Sequence, residues 1–344
     1  MPPTIDAMAV APADADWTSI PPAVTLGGVF GQILHAEPSD PSTDQAVLHA
    51  LKLHGLYGEW LALLPPESMT RRWRDDLRAV QVAATGVAAT SATASRALAA
   101  AGIPHVVYKG VAMAAQMGFD WRLRRSADVD VLVPPEHIGS ALDALRDVGW
   151  AQEEDAGVPS PAQFWAGCEI TLKGPAFEID LHWRPNVSPL ALRIPVEGLI
   201  SRREEVVVAG ARVPTLNADC SALVTVAHGG RSMWFMGKWI LDLARTLAST
   251  DPAALRRRAG QVGAQKSLAL GCAALTELDQ GAVPAALQPS AKVMNLWQQM
   301  RSRPISLLRR GVLKSRSADS VGSELDAFSR LVVQRLLRAY ETVK

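Results

Sequence analysis

Cysteine is scarce in this chain: three in 344 residues, Cys168, Cys220 and Cys272, all far apart. No CxxC and no local Cys/His cluster appears, which argues against a zinc site. A sparse, odd count also suits a reducing cytoplasm, the expected location. Net charge is nearly absent, at +1, so the whole-protein field selects no class of partner. Any nucleic-acid surface must be a local patch. No window reaches the roughly 18 uninterrupted apolar residues of a membrane span. The opening MPPTIDAMAVAPADADW lacks a basic region followed by an apolar core, so no secretory signal is expected. GxSxG is missing throughout, which argues against a serine hydrolase, although His228-Gly229-Gly230 resembles an oxyanion-hole segment. A phosphate loop is excluded as well. Six residues separate Gly230 from Gly237 where the Walker pattern needs four, and Trp239 follows Lys238 in place of Ser or Thr.

What is present is a soluble, globular composition, 48% apolar and 20% charged, long enough for two or three domains. Residues 1–25, rich in Pro, Ala and Asp, read as a flexible tail. Residues 26–102 read as an N-terminal helical region: one helix over Gln45 to Leu64, stopped by Pro65-Pro66, and a second over Pro66 to Ala101 with Gly102 as its C-cap. Residues 103–215 are mixed. His105–Tyr108 and Asp128–Val133 read as strands, with a short helix from Lys109-Gly110 to Met117 between them. A helix over Glu136–Val148 follows, then hairpins over Glu169–Leu172 with Phe177–His182 and over Glu205–Val208 with Ala211–Pro214. Residues 216–344 read as a C-terminal helical domain, with helices from Asn217 or Asp219 to His228, over Gly237–Leu247 and from Asp251-Pro252. Breaks are expected at Pro304 and near Ser317–Ser320. The class is α+β, a small mixed sheet flanked by N- and C-terminal helical regions.

Within this plan one stretch carries chemistry. Asp128 and Asp130 bracket Val129 in an apolar run, and a strand places them on one face, roughly 6 to 7 Å apart. That spacing suits one or two hard cations bound through oxygen, which is magnesium geometry. A solvated turn with two surface acids fits the pair about equally well. In Phe177–Trp183, FEIDLHW, the residues Glu178, Asp180 and His182 share a face. Beside the first strand, Asp180 completes a carboxylate triad; otherwise these three form the wet face of an edge strand. Lys109-Gly110 lies at a strand-to-helix junction where backbone N–H groups favour a phosphate. Arg122, Arg124 and Arg125 either clamp phosphates or pair with Asp120 and Asp128. Asp242 either caps or pairs with Arg245, or lines a substrate wall between domains. The basic run Arg301, Arg303, Arg309, Arg310, Lys314, Arg316 either binds RNA or a precursor peptide or forms a solvated helical face, and the lack of interleaved aromatics favours the second reading.

Together these residues resemble the uncharacterised nucleotidyltransferase family of the DNA polymerase β superfamily. Tyr108-Lys109-Gly110, then Arg124, then Asp128-Val129-Asp130-Val131-Leu132-Val133 match the family's LKG…R…DIDLLV. Asp180-Leu181-His182-Trp183 matches its DLHW. His228 with Trp239-Ile240-Leu241-Asp242-Leu243-Ala244-Arg245 matches a later helix ending in WxxDLAR. The likeness spans roughly residues 40–250 and is specific in combination.

The resemblance implies a polymerase-β-like palm and two Mg2+ ions on Asp128, Asp130 and Asp180. It implies transfer of an NMP group from a nucleoside triphosphate, with ATP expected, to a hydroxyl or phosphate. Lys109, Gly110, Arg124 and Arg125 are the expected nucleotide-binding residues, with His182, His228 and Asp242 as accessories. One departure stands out: the superfamily's Gly-Ser is Lys109-Gly110-Val111 here, without serine, so triphosphate binding must differ in detail. Some family members are encoded near ribosomal-peptide genes, lasso peptides among them, so a peptide or small-molecule acceptor is expected ahead of RNA, and no membrane partner. The alternatives are kinase-like phosphoryl transfer, a toxin-like tRNA nucleotidyltransferase and a non-catalytic peptide-binding module.

Overall fold

The computed structural model describes residues 23–39, 44–153, 157–185, 192, 194–301, 329 and 333. The chain before Ala23 and the breaks and basic residues expected beyond Arg301 lie outside the described residues. The helices that open the chain are α1 (Gly27–His35), α2 (Gln45–Leu53), α3 (Tyr57–Ala62) and α4 (Arg71–Ala100). The mixed part runs β1 (Val106–Tyr108), α5 (Gly110–Gln116), β2 (Asp128–Leu132), α6 (Ile138–Arg146), α7 (Pro161–Ala166), β3 (Glu169–Leu172), β4 (Glu178–His182), α8 (Val196–Ile200), β5 (Arg203–Val208) and β6 (Ala211–Leu216). The closing helices are α9 (Ala218–Arg231), α10 (Gly237–Ser249), α11 (Pro252–Val262), α12 (Gln265–Leu278) and α13 (Ala291–Arg301). No described helix is long and apolar enough to cross a membrane.

Three local expectations change. Composition puts residues 23–25 in a loose tail, but Ala23–Leu26 forms a 3-10 turn with Ala23 and Leu26 buried in a core cluster. The single helix expected over Gln45–Leu64 is two, because Gly55 takes a left-handed φ of 73° that breaks the i to i+4 ladder. The helix expected from Pro66 starts at Arg71, where the Thr70 side chain accepts from the Trp73 N–H and so caps the first turn. Pro66–Ser68 forms only a 3-10 turn.

Four strands make the sheet that matters, in the order β1-β2-β4-β3. β1 runs antiparallel to β2, β2 parallel to β4, and β4 antiparallel to β3. Alternation sorts its residues. Val129, Val131, Ile179 and Leu181 face one way and are at most 2% exposed. With Val87, Ala88 and Leu98 of α4 and Ile138, Leu142 and Leu145 of α6 they form one core cluster. At about 25 cal/mol per Å² of apolar area removed from water, this face is the main reason the sheet forms. The opposite face carries Asp128, Asp130, Asp180 and His182. Its β1 end is apolar: Val106, Tyr108 and Leu132 pack with Leu199 and with Cys220 and Val224 of α9. The acids therefore sit at the uncovered end of a half-covered face.

β5 and β6 form a separate two-stranded sheet. The helices on either side of the mixed part share a core. Phe30, Leu51, Trp60 and Leu61 pack in one cluster with Trp234, Ile240, Leu243, Leu268 and Leu275.

Candidate active site

The parallel pairing of β2 with β4 decides the geometry. Its register sets Asp130 opposite Asp180, and neighbouring strands lie about 4.8 Å apart. Asp128 stands two residues back on the same face. All three line a cavity of about 430 Å³ between the sheet and α9–α10. One donor atom from each of Asp130, Asp180 and His182 lies within 4.8 Å of the other two.

Asp130 is the electrostatic centre. Its Oδ1 accepts from Lys109 Nζ at 2.6 Å and lies 2.8 Å from His182 Nε2. Burial pushes its pKa up, but the charge of Lys109 and the hydrogen bond and charge of His182 together outweigh burial and hold it below the usual carboxylate range. It therefore stays ionised, and Oδ2 is left for a further partner. Asp128 moves the other way: burial first, then the neighbouring Asp130 charge, raise its pKa. Asp180 is raised to about 6, chiefly by burial and also by Asp130, against the opposing pull of His182. Its Oδ1 accepts from the Thr171 hydroxyl at 2.6 Å.

Lys109 reaches Asp130 from an unusual backbone. Its φ of 61° and ψ of −165° lie in a region that is essentially glycine-only. Gly110 follows with φ 47°, and a Cβ there would stand 2.8 Å from Ser126 Oγ. The turn thus presses against Ser126, which also lines the cavity.

The arginines do not act alike. Arg122 pairs with Asp120, as one of the two readings of the arginine cluster expects. Arg124 does not pair with Asp128. Its Nη2 donates to Asp242 at 2.5 Å, with both side chains 7% exposed. Pairing with Arg245, one of the readings of Asp242, does not occur: Arg245 turns instead to Glu59 of α3 and lies over the Phe119 ring, 4.0 Å from its centroid, while Asp242 also lines the cavity. Arg125 Nη1 donates to the Lys52 carbonyl at 2.7 Å and lines the cavity. WILDLAR is thus a docking strip, each of its polar side chains meeting a different part of the chain. His228 lines the cavity, stacked edge-on against Trp239 at 5.1 Å. Burial and Lys109 hold its pKa well below the usual histidine value, so it is neutral at pH 7.

Of the cavity residues that escaped sequence reasoning, two matter most to the site. Lys238, seen only as the end of a failed phosphate loop, projects from the first turn of α10 into the cavity. Its backbone N–H donates to the His54 carbonyl at 3.1 Å, and its side-chain stem lies over Gly55, where a Cβ would meet Lys238 Cδ at 2.9 Å. The glycine that splits α2 from α3 also makes room for this lysine. Burial and the nearby Arg124 lower its pKa to about 8. The other is Glu169, opposite His182 in the β3–β4 register. Glu169 Oε2 lies 3.2 Å from His182 Nδ1, and Oε1 lies 3.7 Å from Arg231 Nη2. No local motif flags either residue, because tertiary packing alone brings them to the cavity.

A model of the family described as uncharacterised nucleotidyltransferase matches residues 43–278. Among curated proteins none matches. Two solved structures of the antibiotic-resistance factor ANT(2'')-Ia align with the chain. The solution structure is 17% identical, covers 50% of this chain and 95% of its own, and has a TM-score of 0.33. The crystal structure in complex with adenylyl-2''-tobramycin is 16% identical, covers 48% and 94%, and has a TM-score of 0.32. The family match spans well over half of the chain, and the chain belongs to the uncharacterised nucleotidyltransferase family.

Proposed function

We propose that this member of the family moves an NMP group from a nucleoside triphosphate, ATP by preference, to a hydroxyl or phosphate on a small molecule or peptide. The observation that carries the reading is the meeting of Asp128, Asp130 and Asp180 on one sheet face, with Lys109 bonded to the central acid. On this reading residues 103–215 are a polymerase-β-like palm, and the described helices on either side of it in sequence wall the nucleotide.

The donor set fits magnesium. It offers carboxylate oxygens, hard donors, from two adjacent strands; Asp130 keeps Oδ2 and Asp180 keeps Oδ2 outside their protein hydrogen bonds. Asp128, Asp130 and Asp180 would hold two Mg2+ ions. Magnesium, when bound, neutralises charge on the phosphate oxygens.

The chain's own residues supply the rest. Lys109 and His182 keep Asp130 ionised. Asp180, on the same face as Asp130 and lining the cavity, is placed to take the proton of an acceptor hydroxyl. The acceptor oxygen attacks the α-phosphorus in line as the bond from that phosphorus to the β-bridging oxygen breaks, and pyrophosphate leaves. Lys238 from α10, with Arg124 and Arg125 from the segment entering β2, lines the cavity and supplies positive charge for the leaving phosphates. Ser126, held against Gly110, stands where a serine donor is missing from the Lys109-Gly110 turn.

Label transfer tests this. With ATP labelled at the α-phosphate, magnesium and a panel of small-molecule and peptide hydroxyls, label should enter product and pyrophosphate should appear. Chelation should stop the reaction. Asp128→Ala should slow it by roughly 100- to 1,000-fold or more while circular dichroism stays unchanged. Entry of γ-label in place of α-label would make the enzyme a kinase and contradict the reading.

A further inference from the structure

We propose a second metal site, of the zinc class, formed by Cys168, Glu169 and the Nδ1 of His182. It is separate from the carboxylate triad and does not depend on the nucleotidyl-transfer reading. The sparse, dispersed cysteines argue against zinc in the sequence, but the antiparallel β3–β4 pair sets Glu169 opposite His182, with Cys168 beside it.

Three observations converge. One donor atom from each of Cys168, Glu169 and His182 lies within 4.8 Å of the other two. Glu169 Oε2 is the hub: it lies 3.2 Å from Cys168 Sγ and 3.2 Å from His182 Nδ1. Around a tetrahedral zinc with bonds of about 2.0–2.3 Å, neighbouring donors stand roughly 3.3–3.6 Å apart. Second, His182 is 1% exposed and its Nδ1 makes no hydrogen bond. Third, His182 Nε2 lies 2.8 Å from Asp130 Oδ1. One ring nitrogen is thus taken by Asp130, while Nδ1 is buried beside the Glu169 carboxylate and within reach of Cys168 Sγ with no hydrogen bond of its own. A cation there would give that nitrogen a partner. A carboxylate holding one histidine nitrogen while a metal takes the other is a recurring arrangement.

The donor chemistry selects the ion. Thiolate and imidazole favour zinc over magnesium. Binding exchanges the Cys168 thiol proton for the metal: the S–H bond breaks, the Sγ–metal bond forms and the proton leaves to solvent. Thiolate and carboxylate then balance the two charges of the ion. Glu169 also lines the cavity, so an ion could enter from there. Metal at this site would fix His182 as a donor to Asp130 and give it a positioning role.

The test uses cobalt as the spectroscopic probe on the full chain, freed of metal by chelation, with excess magnesium present to fill the carboxylate triad. One equivalent of cobalt should bind with tetrahedral visible bands and a thiolate-to-cobalt charge-transfer band, both displaced by zinc. Cys168→Ser should lose the charge-transfer band and weaken binding by at least roughly 10- to 100-fold. Cys272→Ser and Asp128→Asn should keep the band. No charge-transfer band in the unmodified chain would overturn the proposal without recourse to any variant. A band that survives Cys168→Ser would overturn it equally.

Discussion

Lys238 shows how one side chain can tie nucleotide affinity to pH. Its pKa lies near 8 against an ordinary 10.5, because burial and Arg124 penalise the charged form. Between those values the folded chain binds fewer protons than the unfolded one, so this lysine's cost to folding shrinks as pH rises through that window. Triphosphate binding has the opposite sign. The charged amine attracts phosphate below about pH 8, and above it affinity should fall by up to about tenfold per pH unit. Calorimetric titration of ATP between about pH 7 and 9 should show the fall, and Lys238→Met should flatten it. An equally steep profile in the variant would assign the pH dependence to another group. At this scale the acids were legible in the sequence: Asp128, Asp130 and Asp180 declare themselves by alternating with Val129, Val131, Ile179 and Leu181. Lys238 and Glu169 were not, because each owes its place to a partner distant in sequence: Gly55 for the lysine, and the register opposite His182 for the glutamate.

At the scale of elements, two buried ion pairs fasten α10 to the rest of the chain. Arg124–Asp242 joins it to the segment entering β2, and Arg245–Glu59 joins it to α3. Removing one partner strands a buried charge, which costs far more than the pair contributes. Asp242→Ala should lower stability by about 3–5 kcal/mol in a denaturant melt. The double change Arg124→Met with Asp242→Leu should recover most of that loss. Failure of the double variant to recover would mean that Asp242 acts through something other than Arg124. Strand positions, the hairpin at Ala209-Gly210 and the caps at Asn217 and Asp251 follow local rules and could be read in advance. The break at Gly55 could not: the apolar spacing of Gln45–Leu64 stays close to helical across it, and only the backbone conformation reveals the turn.

At the scale of the whole molecule, the cavity exists because a sheet covered on one face presents its bare acidic end to a helical wall. That wall is built from both ends of the chain: α1–α3 and α9–α13 contribute to one core. Sequence patterning found helices on either side of the sheet, but shared burial is a property of packing, and periodicity carries no record of it. Three carboxylates on this sheet, facing cations on that wall, are proposed to form a magnesium-dependent triphosphate site. The most direct measurement is calorimetry of the four nucleoside triphosphates with and without magnesium, repeated on Asp130→Asn. The expected result is saturable, magnesium-dependent binding of at least one of them, strongest for ATP and lost in the variant. Binding that is indifferent to magnesium, or unchanged in Asp130→Asn, would contradict it.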